Sequence, residues 1–88
     1  MAHPVNVDFQ CRPGDTVHVI DAYIVEGHIK YIIFKDTVEC ACISITDPSV
    51  YYDTTNCSGL TWMESIFPDR SSAIEYATLN KLDFQEAD

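Results

Sequence analysis

The sequence is poor in glycine and in long apolar runs, and each shortage excludes a class of function. Only three glycines occur among the 88 residues, so no glycine-rich loop is present to cradle a phosphate group. No stretch approaches the ~20 consecutive apolar residues that a membrane-spanning helix requires. The acidic residues lack the Asp-x-Asp-x-Asp-Gly spacing of a calcium-binding loop. The sequence therefore gives no signal for a phosphate-binding loop, a membrane span or a calcium site of that type.

Cationic residues are also scarce. Five Lys and Arg face fourteen Asp and Glu, which gives a formal net charge of −9. Phosphate backbones and anionic membranes would repel such a chain, so we expect it to bind neither nucleic acid directly nor a membrane. A basic protein surface would attract it. The alternative is that the charge serves only solubility, as in many acidic domains.

The beginning of the sequence lacks the features of a secretory signal. Residues 1–4 have no basic flank and no apolar segment follows them, so we expect a cytoplasmic protein whose thiols are reduced. A chain of this length forms one small domain, which buries roughly two-thirds of the surface that its unfolded state exposes. We therefore expect a single domain over residues 1–88, with one core and little room for a deep substrate cleft.

Strand and turn signals dominate residues 13–67. Alternating and β-branched apolar residues predict strands at about residues 16–20, 23–35, 38–46, 50–53 and 60–67. On the first of them, Val17 and Val19 share one face and Ile20 lies on the other. A turn is predicted around Pro13-Gly14 and a hairpin turn at Lys35-Asp36-Thr37, while Gly27 predicts a bulge or bend inside the second strand.

The C-terminal part changes character at Pro68. Asp69 is a good N-cap because its carboxylate can accept hydrogen bonds from the free N–H groups of a first helical turn. An apolar stripe follows, so we expect a helix over residues 69–83, with an N-terminal arm at residues 1–12 and a frayed tail at residues 84–88. These segments predict an α+β domain: a small, mostly antiparallel sheet of about five strands and one C-terminal helix.

This order of motifs resembles that of many small uncharacterised proteins of phages and bacteria, which share a Gly-Asp-x-Val strand opening. The residues that carry the resemblance are Gly14-Asp15-Thr16-Val17, Ile24-Val25-Glu26-Gly27-His28-Ile29, and Phe67-Pro68-Asp69 before Ala73 and Tyr76. The resemblance covers about residues 13–77 and implies an SH3-like curled sheet with a helix packed at its end. It implies no catalytic residue. The cysteines and the longer central hairpin depart from the pattern and leave room for a specialised role.

Four cysteines raise the question of a metal site. Cys40 and Cys42 fall on one face of a predicted strand, so their thiols should lie near each other. Zinc ligands are more often paired as Cys-x₂-Cys on a turn, and Cys11 and Cys57 would have to converge from distant segments. Metal binding by Cys40 and Cys42, or a redox role, is therefore the alternative. We favour small buried apolar cysteines and no cofactor.

Histidines offer little for catalysis. His18 and His28 lie on adjacent predicted strands and could pair across the sheet, as general acid–base chemistry would require. No nucleophile motif accompanies them: the chain has no Gly-x-Ser-x-Gly sequence and no Cys–His arrangement of recognisable spacing. We expect a protein with no catalytic residues that is not an enzyme.

Aromatic and acidic residues flank the polar segment 53–59. Tyr, Trp and Met are enriched in interface cores, and carboxylates around them would complement an Arg-rich groove. Alternatively, Trp62 and one of the two adjacent tyrosines belong to the core. The residues that we expect to contact a partner are Tyr51, Tyr52, Asp53, Glu64, Asp36, Glu39 and Asp47.

Size, charge and the missing catalytic motifs together predict a non-enzymatic binding protein. It would inhibit or regulate a host protein that binds nucleic acid, by occupying the basic surface of that protein. An anti-CRISPR protein of phage or mobile-element origin is one concrete form, in which acidic groups act as a DNA mimic. The alternative is an SH3-like adaptor that binds a peptide, or a structural module that self-associates as a homodimer.

Overall fold

The computed structural model describes residues 9–43 and 49–87. Within these ranges the chain forms a small, sheet-dominated domain, which confirms the predicted α+β class with five strands and one helix. The elements are β1 (Thr16–Val25), β2 (His28–Ile43), β3 (Val50–Thr54), β4 (Ile66–Phe67), α1 (Arg70–Leu79) and β5 (Phe84–Glu86). No helix in the described ranges has the length and apolar character needed to cross a membrane.

A long antiparallel hairpin of β1 and β2 is the frame of the sheet. The two strands pair without interruption from Thr16↔Thr37 to Val25↔His28. The far end of β2 pairs antiparallel with β3, and β4 pairs antiparallel with β1 at two positions. β5 runs parallel to the first half of β2, where it pairs with Tyr31, Ile32 and Ile33. The result is an open, mostly antiparallel sheet in the order β3-β2-β1-β4, with β5 beside β2.

The central hairpin turns at a different place from the predicted one. The chain reverses at Glu26 and Gly27, whose φ angles of 51° and 81° are both positive, as in the type I′ turn that suits the twist of a hairpin. The predicted turn at Lys35-Asp36-Thr37 is wrong, because these residues continue β2 in extended conformation. The reason is that Asp36 is buried and bonded to a distant loop, so its polar side chain does not require a turn.

Apolar side chains form two clusters, and the strand alternation of β1 separates them. Val17 and Val19 belong to the first cluster, while Ile20 belongs to the second, as the alternation predicted. The first cluster also contains Cys11, Val38, Tyr52, Leu60 and Ile66. The second lies against the helix and contains Ile33, Phe67, Ala73 and Ala77.

The helix begins as predicted and ends early. The Asp69 carboxylate accepts a hydrogen bond from the Ser72 backbone N–H at 2.7 Å, which confirms the N-cap. The helix ends at Leu79 instead of residue 83. At the C-cap, the Asn80 side-chain amide donates to the Tyr76 carbonyl at 2.8 Å, and Lys81 then adopts a φ of 55° that reverses the chain.

The predicted frayed tail is also corrected. Residues 84–86 form β5, whose Phe84 packs against the second cluster. The Ala87 backbone N–H donates to the Ile33 carbonyl at 2.9 Å, and Arg70 approaches Glu86 at 3.3 Å. Buried apolar contact and strand pairing therefore fix a segment that composition alone would leave free.

The predicted strand at residues 60–67 is mostly a turn. Only Ile66–Phe67 form a strand, while Leu60 and Trp62 make isolated bridges. Between Trp62 and this short strand the chain forms a turn, in which the backbone N–H groups of Glu64 and Ser65 both donate to the Thr61 carbonyl, at 3.2 and 2.9 Å. This tight turn interrupts the apolar pattern that predicted a continuous strand.

Candidate functional site

Two thiols and a carboxylate meet where β2 pairs with β3. Cys40 and Cys42 are two residues apart on β2, so their side chains point to the same side, and Asp53 on β3 is the direct partner of Cys40. The two Sγ atoms are 3.7 Å apart, and the Cys40 Sγ lies 3.2 Å from the Asp53 Oδ2. One ligand atom from each of the three residues lies within 4.8 Å of the others. We refer to Cys40, Cys42 and Asp53 as the thiol–carboxylate cluster.

A local irregularity in the sheet creates this cluster. The register passes from Val38↔Thr54 to Cys40↔Asp53, so β2 advances two residues while β3 advances one. Glu39 is the extra residue of this β-bulge, and its carboxylate accepts a hydrogen bond from the Thr55 hydroxyl at 2.8 Å. Bulges commonly re-aim a side chain beside a functional site. Here the bulge places the Asp53 carboxylate against the Cys40 thiol.

Hydrogen bonds shift the pKa values of Cys40 and Asp53 in opposite directions. The bond to Asp53, and secondarily the bond to Cys42, raises the pKa of the Cys40 thiol to about 11. In the other direction, the Gly59 backbone N–H, which donates to Asp53 at 2.9 Å, and then the Cys40 thiol lower the pKa of the Asp53 carboxyl. At neutral pH an ionised carboxylate therefore stands beside a protonated Cys40 thiol.

The four cysteines fall into two groups. Cys11 is 4% exposed, and burial, followed by the charge of Asp15, raises the pKa of its thiol to about 11. Cys57 is half-buried against the first apolar cluster. These two fit the expectation of small core residues, whereas Cys40 is half-buried and Cys42 is exposed. For Cys42 the expectation of a buried apolar residue is wrong, because its side chain is exposed near the end of β2.

The structure removes two of the predicted partner-binding residues from the surface. Tyr52 is 1% exposed, and its ring packs 6.2 Å from that of Trp62. Its hydroxyl accepts a hydrogen bond from the Gln10 backbone N–H at 2.8 Å. Strand alternation places the half-buried Tyr51 on the opposite face. The prediction that Tyr52 contacts a partner is therefore wrong, because Tyr52 is a core residue whose hydroxyl binds the backbone.

Asp36 is the second correction, since it is only 7% exposed. Its carboxylate accepts hydrogen bonds from the backbone N–H of Thr37 at 2.9 Å and from the backbone and side chain of Asn56 at 3.1 and 3.2 Å. These bonds hold the loop after β3 against β2. A carboxylate that is buried and bonded in this way cannot also contact a partner.

The remaining predicted partner residues do not form one patch. Tyr51, Asp53 and Glu39 lie along the β2–β3 pairing, and Asp47 lies outside the described residues. Glu64 instead lines a cleft of about 330 Å³ between β1, residues 60–65 and the end of the helix. The other side chains that line this cleft include Asp21, Tyr31, Tyr76 and the apolar Leu60 and Leu82.

Asp21 is the acidic residue of this cleft that sequence reasoning missed. It is exposed on β1 and lies beside the turn at residues 60–65, because the Ile20 backbone N–H donates to the Ser65 carbonyl at 2.9 Å. The sequence contains no local signal for that contact, since the two segments are more than forty positions apart. We refer to the space lined by Asp21, Glu64, Tyr31 and Tyr76 as the acidic cleft.

The two histidines considered for catalysis are not paired. His18 lies opposite Lys35 and Phe67, whereas His28 lies opposite Val25 at the hairpin turn. Burial, followed by the charges of Arg70 and Lys35, lowers the pKa of His18. The register therefore separates the histidines along the length of the hairpin.

Comparisons with protein-family models, with curated proteins and with solved structures found no match for this chain.

Proposed function

We propose that this protein is a non-enzymatic acidic binding protein that inhibits or regulates a nucleic-acid-binding protein by occupying its basic surface. In this proposal the domain is an SH3-like curled sheet of the kind found in small phage proteins, and an anti-CRISPR inhibitor is a concrete form of the function. The acidic side chains would take the place of nucleic-acid phosphates on the surface of the partner.

The observation that carries the proposal is the uncompensated charge of the surface. Among the described residues, ion pairs engage Asp83 with Lys30 at 4.0 Å and Glu86 with Arg70 at 3.3 Å. Exposed carboxylates outside those two pairs are contributed by Asp15, Asp21, Glu26, Glu39, Glu64, Asp69 and Glu75. A small body with this surface is attracted to a basic partner over distances of about 10 Å at moderate ionic strength.

The acidic cleft supplies a point of contact for such a partner. Its apolar and aromatic lining, with Tyr31, Tyr76 and Leu60, can pack along the methylene stem of an arginine or lysine. The carboxylates of Asp21 and Glu64 on the same cleft can then accept hydrogen bonds from the charged head of that side chain. A basic residue that normally contacts phosphate fits both requirements.

A pull-down at graded salt concentration tests the proposal. The full chain is immobilised, incubated with bacterial lysate treated with nuclease, and eluted in steps of rising salt, and the bound proteins are identified by mass spectrometry. We expect a basic nucleic-acid-binding protein that elutes as salt rises and that loses nucleic-acid binding in the presence of the chain. If no basic nucleic-acid-binding protein is retained at low salt, the proposal is wrong.

A second candidate function is a self-associating or adaptor module, and the hairpin tip favours it. Ile24 and Ile29 are direct cross-strand partners and are 75% and 59% exposed. In the described part of the chain, β4 covers the outer edge of β1 only at His18 and Val19. An open strand edge beside exposed apolar residues can pair with a second strand. Light scattering tests self-association, which requires a dimer whose stability depends little on salt.

A further inference from the structure

We propose that the thiol–carboxylate cluster is a metal site, in which Cys40, Cys42 and Asp53 bind a borderline-soft divalent cation such as Zn²⁺ and leave one coordination position open. The site is independent of the proposed binding function. Thiolate sulfur and carboxylate oxygen are both established ligands of zinc, and three protein ligands with a free fourth position is the arrangement of sites that also take water or a substrate.

Two of the three ligand separations in the cluster are close to those of a tetrahedral site. Two thiolates at about 2.3 Å from a tetrahedral zinc ion are separated by about 3.8 Å. The Sγ atoms of Cys40 and Cys42 are 3.7 Å apart. With a zinc–oxygen bond of about 2.0 Å, the sulfur–oxygen separation becomes about 3.5 Å. Cys40 Sγ and Asp53 Oδ2 are 3.2 Å apart, so these two pairs need shifts of only a few tenths of an ångström. The Cys42 sulfur and the Asp53 carboxylate lie within 4.8 Å of each other and close further around a bound ion.

The backbone holds all three ligands in place before any ion binds. Cys40 and Cys42 project from one strand, and their partners on β3 are Asp53 and Tyr51. The Gly59 backbone N–H donates to the Oδ1 of Asp53 at 2.9 Å, while Oδ2 is the oxygen that faces Cys40. One carboxylate oxygen is therefore anchored and the other is directed into the cluster. Anchoring of a ligand by an outer partner is the usual support of a metal site.

A disulfide between the same two cysteines fits the strand less well. Residues two apart on an extended strand have Cα atoms about 6.6 Å apart, whereas the most common separation in disulfides is about 5.5–6 Å. Closing the bond also requires the sulfur atoms to approach to about 2.05 Å, from 3.7 Å in the cluster. A disulfide would therefore have a Cα separation near the upper end of its usual range of about 4.4–6.8 Å, and it requires a larger movement of the sulfur atoms than metal binding does.

Charge favours the cation as well. When the ion binds, the two thiol protons are released to solvent, and two thiolates and one carboxylate surround a charge of +2. The chain as a whole carries a formal charge of −9, so its field concentrates cations near the surface. Cys42 is exposed, which leaves the fourth position and the entry path open to solvent.

Titration with Co²⁺ tests the proposal directly, because tetrahedral cobalt–thiolate sites absorb in the visible and near-ultraviolet ranges. The full chain is reduced with a non-chelating phosphine, freed of metal and titrated with Co²⁺ and then with Zn²⁺. We expect thiolate-to-cobalt charge-transfer absorption that saturates at one equivalent and disappears when Zn²⁺ displaces the cobalt. Absence of this absorption in the reduced wild-type protein would overturn the proposal.

Three variants assign the ligands. Loss of even an outer-shell partner costs about 10–100-fold in metal affinity, so Cys42→Ser and Asp53→Asn should each weaken Co²⁺ binding by at least about tenfold. Cys57→Ser is the matched control, since it removes a thiol outside the cluster and should leave the titration unchanged. Cys42 is exposed, so its variant should keep the wild-type far-ultraviolet circular dichroism. Binding that survives Cys42→Ser, or that is lost in Cys57→Ser, contradicts the assignment.

Discussion

Asp36 and Asn56 are twenty residues apart in the sequence and are joined by two hydrogen bonds, both donated to the Asp36 carboxylate. The backbone N–H of Asn56 donates at 3.1 Å and its side-chain amide at 3.2 Å. Because Asp36 belongs to β2 and Asn56 to the loop after β3, the pair fixes that loop on the sheet. The same loop leads to Gly59, which anchors the carboxylate of the thiol–carboxylate cluster.

Replacement of Asp36 should therefore destabilise the domain. A hydrogen bond to a charged group contributes about 1.5–3 kcal/mol, and Asp36→Ala loses several at once and leaves their donors without this partner. We expect the free energy of unfolding, measured by urea titration, to fall by about 2–3 kcal/mol. Glu39→Gln is the control on the same strand, since exposed substitutions usually stay within about 0.5 kcal/mol. Equal effects of the two substitutions would show that the Asp36 bonds contribute nothing specific.

The contribution of Asp36 should also depend on pH. Burial by itself would raise the pKa of Asp36, but hydrogen bonds from Thr54, Thr37 and Asn56 together outweigh it and lower the pKa. A group whose pKa is lower in the folded state stabilises fully above its unfolded pKa of about 3.9, and this stabilisation is lost as pH falls through the folded value. The stability difference between wild type and Asp36→Asn should therefore shrink below about pH 4. Urea titrations between neutral and acidic pH measure it, and a constant difference contradicts the assignment.

Asp36 also shows why part of the fold could not be predicted from sequence. The alternation of Val17, Val19 and Ile20 is local, so it correctly assigned these residues to opposite faces. Lys35-Asp36-Thr37 has the local composition of a turn, and only the bonds to Asn56 explain why it is part of a strand. At the true turn, Gly27 alone predicts a bulge or bend, whereas both Glu26 and Gly27 have a positive φ, which is uncommon for glutamate.

In the candidate sites, too, local features could be predicted from the sequence and contacts between distant segments could not. Strand periodicity alone predicted that Cys40 and Cys42 share a face, and their Sγ distance of 3.7 Å confirms it. Asp53 could not be recognised as their neighbour, because its position depends on a one-residue bulge that follows from the pairing of two strands. Asp21 joins Glu64 in the acidic cleft through a contact between distant segments, so it too required the structure.

The hairpin turn offers a stabilising substitution. Glu26 adopts a φ of 51°, a left-handed conformation in which asparagine is tolerated much better than most residues. Glu26→Asn should therefore raise the free energy of unfolding by about 0.5–1 kcal/mol. Glu26→Gln removes the same charge without the conformational preference, so it serves as the control and should have little effect. An equal gain in both variants would assign the effect to charge and not to the backbone.

Substitution of Gly27, unlike that of Glu26, should destabilise the domain. Its φ is 81°, and no atom lies within 4 Å of the position that a Cβ would occupy. Any cost of Gly27→Ala is therefore conformational, at about 1–2 kcal/mol for a residue with a Cβ in the left-handed region. Thermal and urea unfolding measure it, and a variant as stable as wild type would exclude the type I′ turn.

Two substitutions of Tyr52 distinguish the stability that its hydrogen bond contributes from the stability that its packed ring contributes. Tyr52→Phe keeps the packed ring and loses only the hydrogen bond from the Gln10 backbone N–H, which should cost about 1 kcal/mol. Tyr52→Ala also removes the ring from the first apolar cluster and should cost about 3–5 kcal/mol. Tyr51→Phe is the control, since Tyr51 is only half-buried on the opposite face. Urea unfolding orders the three variants, and a Tyr52→Ala protein as stable as Tyr51→Phe would contradict the burial of Tyr52.

The acidic cleft gives the most direct test of how a partner is recognised. Asp21→Asn with Glu64→Gln removes two charges from the cleft, whereas Glu26→Gln with Glu75→Gln removes two exposed charges elsewhere, so both double variants have the same net charge. All four side chains are exposed, and neither pair should change the free energy of unfolding by more than about 1 kcal/mol. If the cleft receives a basic side chain, the cleft variant should retain the captured partner about tenfold less well than the control variant at the same salt concentration. Equal retention by the two variants would mean that the partner responds to overall charge alone, and the cleft would then have no specific part in binding.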